Sequence, residues 1–297
     1  MTLPNFLVIG AEKAGTTSLD YYLQQHPEIF MSAIKEPRYF APEFYTTYFH
    51  GPRVGQRSQP MTQADYEALF AGVTTQPLVG ETSPQYLYFS ACAPRIAQCL
   101  PEVKLLAVLR NPAERAFSAY AYQQRCGYDL EHSFEAALAL EADRIQALWR
   151  PVWHYRALGF YFRQLIPYYQ LFPRDRIRVF LYDDLQQDAV QFSQSVYAFL
   201  GVDPSFIPDI AAKNVSGRPK SRLLHNVLFR DNGIKTWAKR LIPRRAGSAL
   251  AGFLKRQNLG EKPILSGQTR RELIQAYRSD ILQLQDLIER DLSAWLG

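Results

Sequence analysis

Short blocks of consecutive apolar residues alternate along this chain with longer stretches whose apolar positions recur at helical spacing. Asn5-Phe6-Leu7-Val8-Ile9-Gly10 is the first block. A run that is apolar on both faces and closed by glycine suits a strand buried in a parallel sheet. Residues 16–25 then read as a helix, with Thr16, Thr17 and Ser18 as capping types at its start and Pro27 beyond its end. Further strands are expected at 78–81, 103–109 and 177–181. Helices are expected at 113–124, 132–149, 159–171, 187–200 and 266–295. Residues 42–77, rich in Pro, Gly, Thr and Tyr, form a long excursion, and no internal repeat is visible. Strands alternating with helices imply an α/β fold, a parallel sheet flanked by helices on both faces. Ligands of such sheets bind beyond the carboxyl ends of the strands.

Two strand ends carry notable chemistry. Gly10-Ala11-Glu12-Lys13-Ala14-Gly15-Thr16-Thr17-Ser18 leaves the first strand and opens a helix. Exposed N–H groups at the helix start, the helix dipole and the Lys13 ammonium all favour an anion there. A nucleotide-hydrolysing loop of this type has Gly, four residues, then Gly-Lys-Ser/Thr. Here Thr16 follows Gly15 and the lysine comes earlier, at 13. No strand ends in the apolar-then-Asp pattern that would hold Mg²⁺, which disfavours a kinase or NTPase. Arg110 ends the 103–109 strand, Asn111-Pro112 starts the next helix, and Ser118 lies two turns on. A guanidinium and a hydroxyl so placed can grip one phosphate. Together the two elements imply a ligand with two separated anionic groups.

Composition narrows the setting. The chain has 297 residues, 47% hydrophobic, with 18 Tyr, 18 Phe and 4 Trp, which excludes disorder as its main state. Cys92, Cys99 and Cys126 lack metal-type spacing and read as buried thiols of a reducing compartment. No run of about 18 apolar residues marks a membrane span. The first residues lack a cationic leader, so a cytoplasmic location is expected. The net charge of +6 is uneven: residues 213–256 hold twelve Lys or Arg and one acid, Asp231. Such a block attracts anions.

The two motifs resemble sulfotransferases that use 3′-phosphoadenosine 5′-phosphosulfate (PAPS). Phe6 through Leu19 is similar to their 5′-phosphosulfate loop. Leu106-Ala107-Val108-Leu109-Arg110-Asn111-Pro112 through Ala116-Phe117-Ser118-Ala119-Tyr120 is similar to their 3′-phosphate element. His26-Pro27-Glu28-Ile29-Phe30, Lys35-Glu36-Pro37-Arg38-Tyr39-Phe40 and Gly80-Glu81-Thr82-Ser83-Pro84-Gln85-Tyr86-Leu87 resemble bacterial and heparan-sulfate-type members. Phe199-Leu200-Gly201, Asn214-Val215-Ser216-Gly217 and Asp291-Leu292-Ser293-Ala294-Trp295 also fit. The resemblance implies a P-loop-like fold, a single domain over 1–297, and metal-free in-line sulfuryl transfer from PAPS that leaves adenosine 3′,5′-bisphosphate. It implies that Lys13, Ala14, Gly15, Thr16, Thr17 and Ser18 hold the 5′ end, and Arg110 and Ser118 the 3′-phosphate. Ser216, Gly217 and Arg218, with Lys220 nearby, would close on the cofactor, with 213–260 as a lid. Glu36 matches the base of heparan-sulfate-type relatives, with Lys35 orienting it.

Many relatives carry His where this chain has Arg38, which can hold an anion but cannot act as a base near neutrality. Glu81 and His154 are the other base candidates. The acceptor is a carbohydrate, a natural-product hydroxyl or a hydroxyacyl group, with 42–77 and the Tyr- and Trp-rich 149–169 lining its pocket. Nucleic acid and stable membrane insertion are not expected. The competing class is a noncatalytic module that binds anionic glycan, nucleic acid or membrane through the basic block, whose Leu223, Leu224, Val227, Leu228, Ile234, Trp237 and Leu241 form an apolar stripe.

Overall fold

A computed structural model describes residues 2–47, 50–51, 59–210 and 264–297. The run Phe6-Leu7-Val8-Ile9-Gly10 is strand β1 (Phe6–Gly10), buried along its whole length. Helix α1 (Thr16–Leu23) follows, then β2 (Ile29–Met31) and two short helices in the excursion, α2 (Glu43–Thr46) and α3 (Gln63–Ala68). The next elements are β3 (Leu78–Thr82), α4 (Cys92–Cys99), β4 (Lys104–Leu109) and α5 (Pro112–Cys126). Helices α6 (Phe134–Ala139), α7 (Glu141–Gln146) and α8 (Tyr161–Leu171) lead to β5 (Ile177–Leu181). Helices α9 (Tyr182–Gln187), α10 (Ala189–Leu200) and α11 (Gly267–Ile288) complete the described elements.

The five strands are all parallel, in the order β2-β3-β1-β4-β5. Alternation of side chains divides the core in two. Leu7, Ile9, Leu105, Ala107 and Leu109 face α4, α5, α8 and α11, whereas Phe6, Val8, Leu106 and Val108 face α1 and α10. Each fully buried Leu, Val, Ile or Phe contributes about 1.5–3 kcal/mol, so the central strands anchor the fold. The chain leaves β1 toward one edge and returns to the other side of β1 at β4. Ligands of such sheets bind at that reversal, here the carboxyl ends of β1 and β4.

Three expected elements differ, each through tertiary demands. The helix over 132–149 is two helices that meet at Leu140, where Glu141 turns inward to accept from the Arg156 and Ala157 N–H groups and Arg144 turns to buried Asp129. The helix over 187–200 divides at Asp188, whose carboxylate caps α10 through the N–H groups of Val190 and Gln191. The last helix stops at Ile288, with Glu289 in the left-handed region at φ 53°, and the chain beyond buries Leu292 and Trp295. Strand β2 has three residues, too few for a periodic signal, and exists by pairing with β3. Among the described residues, no helix is long and apolar enough to cross a membrane.

Candidate functional site

The loop between β1 and α1 wraps tightly. Gly15 caps α1 at φ 92°, and a Cβ there would stand 2.7 Å from Leu185 and 2.9 Å from Tyr182. Only glycine meets both conditions. No side chain caps the first turn of α1, which leaves backbone N–H groups at its start for an anion to use. Lys13 precedes it at φ 67°. Its Nζ lies 4.0 Å from the centre of the Tyr122 ring. Burial, only partly offset by Glu12, lowers its pKa to about 8. It remains a cation at neutral pH, poorly hydrated and without an ion pair among the described residues.

Arg110 ends β4, beside β1 in the sheet. Its guanidinium stacks 4.8 Å from the Tyr182 ring and approaches Glu114 at 4.0 Å. Tyr182 thus touches both segments, being packed against Gly15 and against Arg110. Asn111 caps α5 by accepting from the N–H groups of Ala113 and Glu114, and donates to the Trp295 carbonyl at 3.2 Å. Residues 114, 118 and 122 share one face of α5 by their spacing of four. The face that presents half-buried Ser118 therefore also carries Tyr122 to Lys13.

Glu36 enters from the segment after β2. Its N–H donates to the Thr82 carbonyl at 2.9 Å, fixing the segment to the end of β3. Lys35 Nζ donates to Glu36 Oε1 at 3.3 Å and to Thr17 Oγ1 at 3.1 Å, tying the carboxylate to the loop. Arg38 Nη2 and Gln85 Nε2 both donate to Glu36 Oε2. Burial pushes the Glu36 pKa up, but Arg38, Lys35 and the Gln85 hydrogen bond together bring it below its ordinary value. Glu36 is an ionised acceptor of protons at neutral pH. Lys13, Glu36 and Arg38 have φ of 67°, 58° and 55°. Left-handed backbone at a non-glycine residue costs on the order of 1–3 kcal/mol and collects where function demands a geometry.

The sulfotransferase domain family matches residues 3–246. The chain belongs to that family. A crystal structure of a sulfotransferase from Alicyclobacillus acidocaldarius superposes with a TM-score of 0.79 at 31% identity, covering 100% of both chains. Membrane-associated sulfotransferase kil1 of Dictyostelium discoideum is 35% identical over 157 residues, 49% of this chain and 30% of that protein. Bifunctional heparan sulfate N-deacetylase/N-sulfotransferase 2 of Homo sapiens is 26% identical over 204 residues, 68% of this chain and 22% of that protein. The chain thus spans less than a third of the length of these two curated relatives. The parallel sheet with a phosphate-type loop after β1 is the fold of the family.

The other two base candidates sit differently. Glu81 is fully buried, with Oε1 accepting from Tyr86 (2.6 Å) and Tyr66 (3.3 Å) and Oε2 from Ser83 (2.7 Å). Burial pushes its pKa up to about 7 against those three hydrogen bonds. It braces the site from below, since Ser83 Oγ accepts from the Arg38 N–H at 3.1 Å. His154 is 1% exposed, with Nε2 against the Trp149 carbonyl and Nδ1 against the Tyr88 hydroxyl, and burial lowers its pKa to about 4. Both are enclosed by protein. Ser216, Gly217, Arg218, Lys220 and the basic block lie outside the described residues.

The excursion and the aromatic stretch do meet. His50 pairs with Trp149 in a parallel bridge, and Phe44 lies under both Arg38 (4.3 Å) and Arg150 (5.1 Å). Four participants escaped sequence reasoning: Glu12, Gln85, Tyr122 and Tyr182. Glu12 lies inside the loop motif and Gln85 inside the 80–87 segment, whereas nothing in the sequence marked Tyr122 or Tyr182. Among the described residues, no group of three His, Cys, Asp or Glu is spaced to hold a metal ion.

Proposed function

We propose that this chain transfers a sulfuryl group from PAPS to an acceptor hydroxyl, with Glu36 as the base. One observation carries the reading. Lys13 and Arg110 follow the ends of adjacent parallel strands, joined by Tyr182, and Glu36 is tied to the same loop through Lys35 and Thr17.

The donor set fits a molecule with two anionic ends. Lys13, Ala14, Gly15, Thr16, Thr17 and Ser18 would hold the 5′ phosphosulfate. Arg110 and Ser118 would hold the 3′-phosphate, with Ser216, Gly217 and Arg218 as the family's closing segment. When bound, PAPS supplies the sulfuryl group, and the negative charge that develops falls on the bridging oxygen beside sulfur. Lys13, half-buried and held over the Tyr122 ring, would meet that charge with little further reorganisation. Glu36 takes the proton of the acceptor hydroxyl, whose own pKa lies far above neutrality. Arg38 and Gln85 fix one carboxylate oxygen, and Lys35 holds the other beside Thr17. Phe44, Tyr45 and Arg150 offer an aromatic and cationic wall near Arg38, suited to a carbohydrate or natural-product acceptor.

Incubation with ³⁵S-labelled PAPS across acceptor classes should move label to an alcohol or sugar, and Glu36→Gln should abolish transfer while retaining cofactor affinity. Adenosine 3′,5′-bisphosphate at one hundred times its dissociation constant should add about 2.7 kcal/mol of stability. Stabilisation by ATP–Mg²⁺ instead would overturn the assignment.

A further inference from the structure

The loop that carries Lys13 also carries a carboxyl group one residue earlier, and sulfuryl transfer as described makes no use of it. A negative charge at Glu12 opposes the purpose of an anion loop. The structure ties this group to the base. Gln85 Nε2 donates to Glu12 Oε1 at 2.6 Å and to Glu36 Oε2 at 3.1 Å, so one amide nitrogen serves two carboxyl groups. Gln85 is 3% exposed, and its Oε1 is buried without a partner. Turning the amide over would set that oxygen against both carboxyls. The amide therefore forgoes a hydrogen bond to hold the two together.

The surroundings decide which of the two carries the proton. Lys35 and Arg38 both contact Glu36 directly. Glu12 has Gln85 at hydrogen-bond range, with Arg38 and, from α5, Arg115 acting on it at a distance. Its other charged neighbours are Lys13 and Glu36. Burial first, then the Glu36 charge, push the Glu12 pKa up, while Glu36 is pulled down. Facing Lys13 are Glu12, the Tyr122 ring and, from the end of β4 and from α5, Arg110, Arg125 and Cys126. Two carboxyl groups driven apart in this way divide into a charged and a neutral partner.

We propose that Glu12, Gln85 and Glu36 form one proton-sharing unit in which the proton rests on Glu12, and that losing it weakens the loop's grip on a doubly anionic nucleotide. This rests on the reading that the Lys13 loop holds the PAPS-type nucleotide. Glu12 then acts as a positioning residue for charge. Neutral, it adds no repulsion to a bound anion and leaves Glu36 free to act as base. Ionised, it adds repulsion to the bound anion. No covalent step is involved. Where Glu12 is partly ionised, nucleotide binding draws a fraction of a proton, at most one, from the buffer onto its carboxylate.

The test is calorimetric titration of the full chain with adenosine 3′,5′-bisphosphate from pH 5.5 to pH 8, in buffers of differing ionisation heat. The wild-type protein should take up protons on binding, and its affinity should fall as pH rises, before the loss of the Lys13 charge begins to contribute. Glu12→Gln should abolish the uptake below the Lys13 range and bind up to roughly tenfold more tightly at the alkaline end of that range. Glu36→Gln removes a like charge and should move the uptake to lower pH, which keeps the proposal testable if Glu12→Gln fails to fold. Unchanged uptake in Glu12→Gln, or an unmoved window in Glu36→Gln, overturns the proposal. Failure of the nucleotide to bind the wild-type chain overturns the cofactor reading instead. Transfer surviving in Glu36→Gln overturns the base assignment while leaving the proton-uptake result standing.

Discussion

Two buried charged clusters in this molecule follow opposite rules. Around Asp129 every group is matched. Arg144 donates to both carboxylate oxygens at 2.8 and 3.2 Å, Tyr155 adds a hydrogen bond at 2.7 Å, and the Glu131 N–H a fourth at 3.1 Å. The Asp129 side chain is wholly buried and that of Arg144 nearly so. Around Lys13 the matching is partial: Glu36 is paired with Lys35 and Arg38, while Lys13 has no ion pair among the described residues. A half-buried lysine lies over a tyrosine ring, one amide nitrogen serves two carboxyls, and three residues sit in left-handed backbone. The first cluster spends its polarity on the fold and braces α7 against the turn after α5. The second leaves polarity unspent, and unspent polarity is what a ligand can use. Buried charge by itself does not mark a site; buried charge that is mismatched does.

That contrast can be broken by mutation. The largest effect on stability belongs to the matched cluster. Asp129→Ala leaves buried Arg144 with Glu131 at 3.9 Å as its remaining ion-pair partner, and should lower unfolding free energy by about 3–5 kcal/mol in urea melts at pH 7. Sulfuryl transfer per folded molecule should be nearly unchanged at low temperature. Lys13→Met should do the reverse, lowering turnover by about 10²-fold or more. The native fold lowers the Lys13 pKa to about 8. Below that pH the buried charge is retained at a cost to stability, and stability should rise as pH passes from about 8 toward the ordinary lysine value, where the native state binds fewer protons than the unfolded chain. Lys13→Met should therefore raise the thermal midpoint at pH 7, and a lowered midpoint would place Lys13 with the structural ions. The same shift sets an alkaline limb for turnover near pH 8, which a rate profile over pH 6–9.5 would reveal. A rate flat through pH 9 would separate the ammonium from the chemistry. The smallest effect is expected of Tyr122→Leu. Loss of one cation–π contact is worth about 0.5–1 kcal/mol, or about two- to fivefold in turnover. A change in nucleotide affinity with no change in turnover would assign the ring to binding alone.

The two anion elements were legible along the chain because each is local. A strand, a glycine-bearing turn and a helix start lie within fourteen residues at Phe6–Leu19, and Arg110 and Ser118 lie within nine. Glu36 was reached only through family resemblance, because nothing in Lys35-Glu36 sets it apart from a surface pair. What sets it apart are contacts from distant segments: Gln85 is 49 residues away, and Thr17 lies 18 residues from Lys35. Glu81 and His154 read as site-like acids and bases, yet one is enclosed by Tyr66, Tyr86 and Ser83 and the other by Trp149 and Tyr88.

By itself the chain's order of residues determined the parallel α/β sheet and the strand-end turns that carry Lys13 and Arg110, since hydrophobic period, glycine and capping act over a few residues. Only the tertiary structure decided which carboxyl groups lie within reach of one another and which are sealed away. Proton affinity in a protein interior depends on burial and on charges a few ångströms off in space, and the distance along the chain does not report either.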